Sequence, residues 1–286
     1  MISCIICSRQ MDLSAELKEN IASTIGCEYE LVVIDNSKNE YSIFSAYNEG
    51  VRRAQGDILC FMHEDVLYHT DGWGVKVFNH FKNSCIGLIG VVGGHCMPDF
   101  PASWFTMHTI SGQNLQGVYR DGKYTTDYYL FDKRRIGNST EVVAVDGMWF
   151  CAPKNIFEKI RFDSVTFSHF HCYDLDISMQ VIKNNLQVHV IFDILIEHKS
   201  SGDTGVIYFR ELDKFYEKWS KYFPLIRGEV FNNVLDMNER LSLAKQYMYY
   251  LRENVYLRRD VNKMSSSFYY KLRKKLKKIY HCIMRI

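Results

Sequence analysis

No run of the 286 residues approaches the roughly 20 consecutive apolar positions that a membrane-crossing helix needs, so no span is expected. The apolar run at residues 2–7 is flanked by neither a basic leader nor a small-residue cleavage site, and a signal peptide is therefore not expected. Glycine-rich phosphate loops, dinucleotide fingerprints, repeats and low-complexity linkers are all missing. The nine cysteines are odd in number, scattered and mostly set in apolar runs. That excludes a disulfide scaffold and points to reduced, buried thiols of a cytoplasmic protein. Cys4 and Cys7 are spaced as C-x-x-C, but along a strand they face opposite ways and no second pair follows, which argues against zinc.

What is present is apolar content of 47%, enough for one large core or a core plus an appendage. The net charge of +2 hides an asymmetry: residues 261–286 hold eight Lys and Arg and no acid, which leaves 27 of the 35 basic residues against all 33 acids in the body. A net acidic body speaks against nucleic acid as a partner.

The first ninety residues alternate short β-branched runs with helix-period segments, the pattern of a parallel sheet with crossover helices. Strands are predicted at 2–8, 30–34, 57–62 and 86–92. Helices are predicted at 13–24, capped by Asp12, and at 43–55, closed by Gly56, with a third marked by Trp73, Val77, Phe78 and Phe81. Periodicity fades from 93 to 138, where aromatics mix with glycine and charge and suggest hairpins or an irregular insertion. A strand at 142–146, helices at 154–160 and 175–183, and two closing strands at 188–192 and 194–198 follow. Beyond Gly205 the sequence reads as helical. The expected fold is α/β, with a mainly parallel central sheet flanked by helices over 1–205 and a helical extension over 206–286.

The stretch from Asn48 to Asp65 places a helix, a tight turn, a buried strand and a carboxylate in the order a phosphate and metal site requires. On spacing alone, Glu64 and Asp65 read equally as solvated loop acids. Four blocks in order decide the context: Ser3-Cys4-Ile5-Ile6-Cys7-Ser8-Arg9, Val32-Val33-Ile34-Asp35-Asn36-Ser37, the N-x-G-x-x-x-A-x-G-D run from Asn48 leading to Phe61-Met62-His63-Glu64-Asp65, and Tyr173-Asp174-Leu175-Asp176. Together they resemble glycosyltransferase family 2 with the GT-A fold, over residues 2–205, in its bacterial form with a histidine in the metal motif.

The resemblance implies that Ser8, Arg9, Asp35, Asn48 and Glu64 line the nucleotide, with Asp35 accepting N–H or O–H donors from base or ribose. Asp35 also fits an Asx turn, and Asn48 and Gly50 also fit plain helix packing. His63, Asp65 and His198 become metal ligands, with Mn2+ favoured over Mg2+ because imidazole suits it better. His63 stands where the family usually has aspartate, and it also reads as a structural histidine. Lys199 and Ser201 would add phosphate contacts. Asp174 becomes the general base of an inverting transfer, kept ionised by its helix N-terminus, although Tyr173 replaces an acidic residue beside it. Asp146, Gly147 and Trp149 would face the acceptor, and Trp149 reads equally as a core residue. The implied partners are a nucleotide-diphosphate sugar and a saccharide acceptor, lipid-linked in cell-surface polysaccharide synthesis.

Residues 265–286 read as a basic amphipathic helix, suited to an anionic membrane surface on the cytoplasmic side or to packing on the catalytic domain. Two other readings stay open. A non-catalytic carbohydrate-binding or scaffold protein of the same fold would explain the departures at His63 and Tyr173. A sugar nucleotidyltransferase would need a glycine-rich loop that Ser8-Arg9-Gln10-Met11 lacks.

Overall fold

The computed structural model describes residues 1–131, 137–200, 202, 204–228 and 237–283, with side chains as far as residue 262. In chain order the first half runs β1 (Ile2–Ser8), α1 (Ala15–Thr24), β2 (Tyr29–Asp35), α2 (Ile43–Arg53), β3 (Ile58–Met62), β4 (Val66–Tyr68), α3 (Trp73–His80), β5 (Ile86–Gly90), β6 (Val92–Gly94) and β7 (Cys96–Met97). There follow β8 (Ile110–Arg120), β9 (Lys123–Phe131), β10 (Ser139–Val142), β11 (Ala144–Val145), β12 (Trp149–Pro153), α4 (Tyr173–Lys183), β13 (Gln187–Ile191), β14 (Ile196–His198), α5 (Val206–Trp219), β15 (Leu225–Ile226) and α6 (Met237–Ile283).

The main sheet has the order β10-β13-β5-β12-β3-β1-β2. Strands β2, β1, β3, β5 and β13 run in one direction, and β12 and β10 run against them. Helices cover both faces, so β1 and β3 are apolar almost without interruption rather than alternating. A second sheet, β11-β6-β8-β14-β4 with β9 paired to β8, is laid against the C-terminal ends of the first. Both sheets share one core, in which Tyr47, Phe61, Phe150 and Phe162 pack ring against ring. Tyr208, Phe209, Leu212, Phe215 and Trp219 of α5 and Met248 of α6 belong to that same core, so the apolar interior runs across the residue-205 boundary.

Several boundaries differ from the sequence expectation, each for a local reason. Helix α1 is capped by Ser14, whose hydroxyl accepts the Leu17 N–H at 3.2 Å, and not by Asp12. Helix α2 ends at Arg53, and Gly56 instead lets the chain press against β1, donating its N–H to Ser3 Oγ at 2.8 Å. Gly50 serves packing: a Cβ there would collide with Ile5. The strand expected at 142–146 is two, β10 in the first sheet and β11 in the second. The stretch 110–131 is a long hairpin whose Asp121-Gly122 turn has φ of 50° and 75°, the left-handed pair that such two-residue turns require. Strand β12, a central member of the main sheet, was not expected at all.

Asn48 is a cross-brace between α2 and the backbone at Phe162. Its side-chain amide donates to the Phe162 carbonyl at 2.7 Å and accepts the Phe162 N–H at 3.1 Å. Replacement by alanine leaves both backbone groups without that partner, so Asn48→Ala is expected to lower stability by about 2 kcal/mol. Urea unfolding measures this directly, and an unshifted midpoint would refute the assignment.

Candidate active site

Parallel strands deliver their C-terminal ends to one edge, where side chains from distant parts of the chain meet. Ser8 and Asp35 are register partners at the ends of β1 and β2, and His63-Glu64-Asp65 follows β3 next to them. The antiparallel pairing of β4 with β14 sets Val66 opposite His198, which carries Asp65 and His198 to the same place. Backbone bonds fix this corner: the His63 N–H donates to the Met148 carbonyl and the Lys199 N–H to the Asp65 carbonyl, each at 3.0 Å.

His63 Nδ1 lies 3.2 Å from His198 Nε2 and 4.0 Å from Asp65 Oδ1, and His198 Nε2 lies 3.6 Å from that same oxygen. The three form a group that could hold a divalent metal ion. Two nitrogens and one oxygen close the triangle on one side and leave the other for further ligands; cis ligands of an octahedral cation, at roughly 2.1 Å from it, stand about 3 Å apart. Burial, with His198 beside it, holds the His63 imidazole down to about 4, so it is neutral and able to ligate near pH 7.

Tyr173, the first residue of α4, sets its hydroxyl 2.6 Å from His63 Nε2 and 3.1 Å from the Gly147 carbonyl oxygen. Gly147 makes room for Tyr173: a Cβ there would collide with the tyrosine hydroxyl. On either side lie two carboxyls. Asp146 is raised by burial against the pull of the Met148 N–H, donated to Oδ1 at 2.8 Å, and of His198. Burial first, and Asp146 second, push Asp174 up to about 7, opposed by the N–H groups of Leu175, at 2.9 Å, and Gly147. The expectation that the helix terminus keeps Asp174 ionised is thus corrected: desolvation and a like charge outweigh it.

Other expected residues have different work. Ser8 is fully buried, its hydroxyl shared between the Gln10 backbone and Glu64. Glu64 accepts from Ser8 with one oxygen and from the Arg9 N–H, at 3.2 Å, with the other. The two side chains therefore tie the β1 loop to the β3 turn. Trp149 lies in the core with its indole N–H on Tyr68 Oη at 2.9 Å. The Lys199 ammonium pairs with Glu16 on α1 rather than turning toward a phosphate, and Ser201 is outside the described residues.

Asp35 is exposed and held below the usual carboxylate range by the Ser37 N–H at 2.9 Å, so it is both an Asx-turn residue and an available acceptor. Arg9 is exposed, its guanidinium 6.0 Å from the Phe170 ring centroid. Phe170 has no part in the site expected from the sequence. It is 42% exposed and its ring centroid is 5.4 Å from that of His63, an aromatic face at the edge of the metal-capable group. The signal available for it was an aromatic in a polar turn immediately before the Tyr173-Asp174 block.

A family model described as "Glycosyltransferase like family" matches residues 1–223. Among solved structures, the crystal structure of GalNAc-T7 with UDP, GalNAc and Mn2+ is similar at TM-score 0.50 and 12% identity, over 76% of this chain and 48% of that one. The chain thus spans about half the length of that structure. The crystal structure of A197 from STIV aligns at TM-score 0.39 and 12% identity, over 82% of this chain and 98% of that one. No curated protein matches the sequence.

The buried carboxyl pair has a stability signature. Asp174 titrates near 7 in the folded protein against an ordinary value of 3.8, so the folded state holds a proton that the unfolded chain releases. Its stabilising contribution is full below the unfolded value and is lost as pH rises through about 7. Asp174→Asn keeps the neutral form at every pH, so its melting temperature should gain on the wild type by several degrees between pH 5 and pH 8. Calorimetry at both values tests this, and a pH-independent difference would contradict it.

Proposed function

The chain belongs to the glycosyltransferase-like family, and we propose that it transfers a sugar from a nucleoside-diphosphate donor to an acceptor hydroxyl with inversion at the anomeric carbon. The observation that carries this reading is the meeting of His63, Asp65 and His198 with Asp146 and Asp174 at the strand ends, five polar groups from four separate stretches of sequence. Asp174 takes the proton of the attacking hydroxyl. A carboxyl with a value of about 7 is basic enough to accept it and is half ionised near neutrality. Asp146, next to it, raises that basicity and offers an acceptor to the sugar hydroxyls. Asp35 receives donors from the nucleoside and Arg9 faces the diphosphate, with Phe170 as the apolar wall between donor and acceptor.

His63, Asp65 and His198 are the residues that would hold a divalent cation, and two imidazoles favour Mn2+ over Mg2+. Bound there, a cation neutralises the charge that gathers on a leaving diphosphate. Helix α5 and the part of α6 around Met248 are part of this working unit. Along α6, Leu243, Tyr247, Tyr250, Leu257 and Val261 recur at helical spacing and are exposed, and we assign this stripe, continued by the basic residues after 262, to an anionic membrane surface carrying a lipid-linked saccharide acceptor. The side chains of 263–286 lie outside the described residues, and no described helix is long and apolar enough to cross a membrane.

Three measurements test the proposal. Asp174→Asn should lower turnover by roughly 10²- to 10⁴-fold while leaving donor affinity unchanged; wild-type turnover in that variant would remove the assigned base. Asp65→Ala should abolish the Mn2+-dependent part of nucleoside-diphosphate binding in calorimetry, and affinity that ignores Mn2+ in both proteins would remove the cation. Proton NMR of the product should show the anomeric configuration opposite to the donor's, and retention would reject direct displacement.

A further inference from the structure

The hydroxyl of Tyr173 stands between two neighbours that cannot both receive its one proton. The Gly147 carbonyl oxygen, 3.1 Å away, has only lone pairs, so the tyrosine proton is donated there. The phenol oxygen is then left as an acceptor 2.6 Å from His63 Nε2, and that contact is a hydrogen bond only if Nε2 carries the hydrogen. A neutral imidazole has one N–H. His63 Nδ1 is therefore the bare nitrogen, and it is the atom that faces His198 Nε2 at 3.2 Å and Asp65 Oδ1 at 4.0 Å.

We propose that Tyr173 is a positioning residue that holds His63 in the Nε2–H tautomer, so that Nδ1 presents its lone pair to a divalent cation. The inference rests on the cation reading of the preceding section. The opposite tautomer has a real competitor on its side: the Asp65 carboxylate near Nδ1 attracts a hydrogen on that nitrogen. Without an acceptor at Nε2 the proton would favour the Asp65 side and occupy the ligand position. His198 is the adaptable partner. In the cation-free protein its Nε2–H is the hydrogen available to His63 Nδ1, and among the described residues its Nδ1 has no hydrogen bond that would oppose a change of tautomer.

The tyrosine is itself held firmly enough to impose this choice. It is 4% exposed, its ring is wedged among Tyr47, Phe150 and Phe170 at centroid distances of 5.7, 6.3 and 5.7 Å, and the missing side chain of Gly147 makes room for its hydroxyl. The same short segment grips both partners, because the Met148 carbonyl accepts the His63 N–H while the Gly147 carbonyl accepts from Tyr173. Outer partners of this type orient a ligating imidazole and fix which nitrogen faces the metal.

The test reads tautomer and metal affinity separately from activity. Long-range proton–nitrogen correlation spectra of 15N-labelled protein at pH 7.5, without added metal and with His63 assigned by its loss in His63→Gln, should show a protonated Nε2 and a bare Nδ1. Tyr173→Phe should move the hydrogen toward Nδ1 and weaken Mn2+ binding, followed by electron paramagnetic resonance of the free ion, roughly 10- to 100-fold. A wild-type spectrum with the hydrogen on Nδ1 overturns the proposal by itself, even if the Phe variant fails to fold. Wild-type Mn2+ binding that survives Tyr173→Phe with an unchanged His63 spectrum overturns this inference alone. No Mn2+ binding by the wild type overturns the cation reading and this inference with it.

Discussion

Everything at the working edge of the sheet is arranged around the imidazole of His63. Its backbone is tied to Met148 and its two nitrogens face Tyr173 on one side and His198 with Asp65 on the other. Four segments that are remote in sequence thus converge on one ring: the end of β3, the turn before β12, the start of α4 and the end of β14. Burial keeps the ring neutral, which is the state in which it can ligate. A charged imidazole here would face the desolvation cost that already depresses its proton affinity.

The carboxyls pull in the other direction. Asp146 and Asp174 are both raised by burial and face each other across Gly147, with backbone N–H groups as their main compensation. Such a pair destabilises the fold when both ionise, and its persistence fits a site that gains its counter-charge from what it binds. Cys172 adds to the local tension. It enters α4 at φ of 66°, a left-handed conformation that costs a residue with a side chain about 1 kcal/mol or more. That turn delivers Tyr173 and Asp174 side by side, one into the core toward His63 and the other toward Asp146.

How much of this could be read from sequence depended on which physical signal dominated each segment. Alternation of β-branched runs with amphipathic segments located β1, α1, β2, α2 and β3 to within about two residues, and strand ends located the edge where His63 and Asp65 lie. Strand β12 escaped because a five-residue apolar run carries no period, and its Trp149, which reads both as an acceptor-facing aromatic and as a core residue, lies in the core. The hairpin β8–β9 was legible in the Asp121-Gly122 pair, yet its mixed polar and aromatic arms obscured it. The ionisation of Asp174 was beyond reach, because it follows from Asp146, 28 positions away, and from burial. His63 and Tyr173 both depart from an acidic pattern in the sequence; only the fold shows that the two departures touch.

The extension beyond residue 205 bears on the site through charge that is buried rather than displayed. Asp176, 1% exposed at its side chain, accepts from Trp219 Nε1 at 2.8 Å, Lys218 Nζ at 2.7 Å and Gln180 Nε2 at 2.7 Å. Glu211, equally buried, accepts from the Ser168 N–H at 3.3 Å, His169 Nδ1 at 3.1 Å and Lys214 Nζ at 2.8 Å, while Lys218 also reaches Asp163 at 2.7 Å. Ion pairs taken out of water recover little net stability, so their main consequence is geometric. They clamp residues 163–171 against α5, and Phe170 is carried on that clamped segment, with its ring beside His63. The wall of the site opposite the sheet is thus set by a helix that follows the last strand of the second sheet, β14, in the chain. An α5 displaced from its seat would move Phe170 away from His63 while leaving His63, Asp65 and His198 in place on their strands.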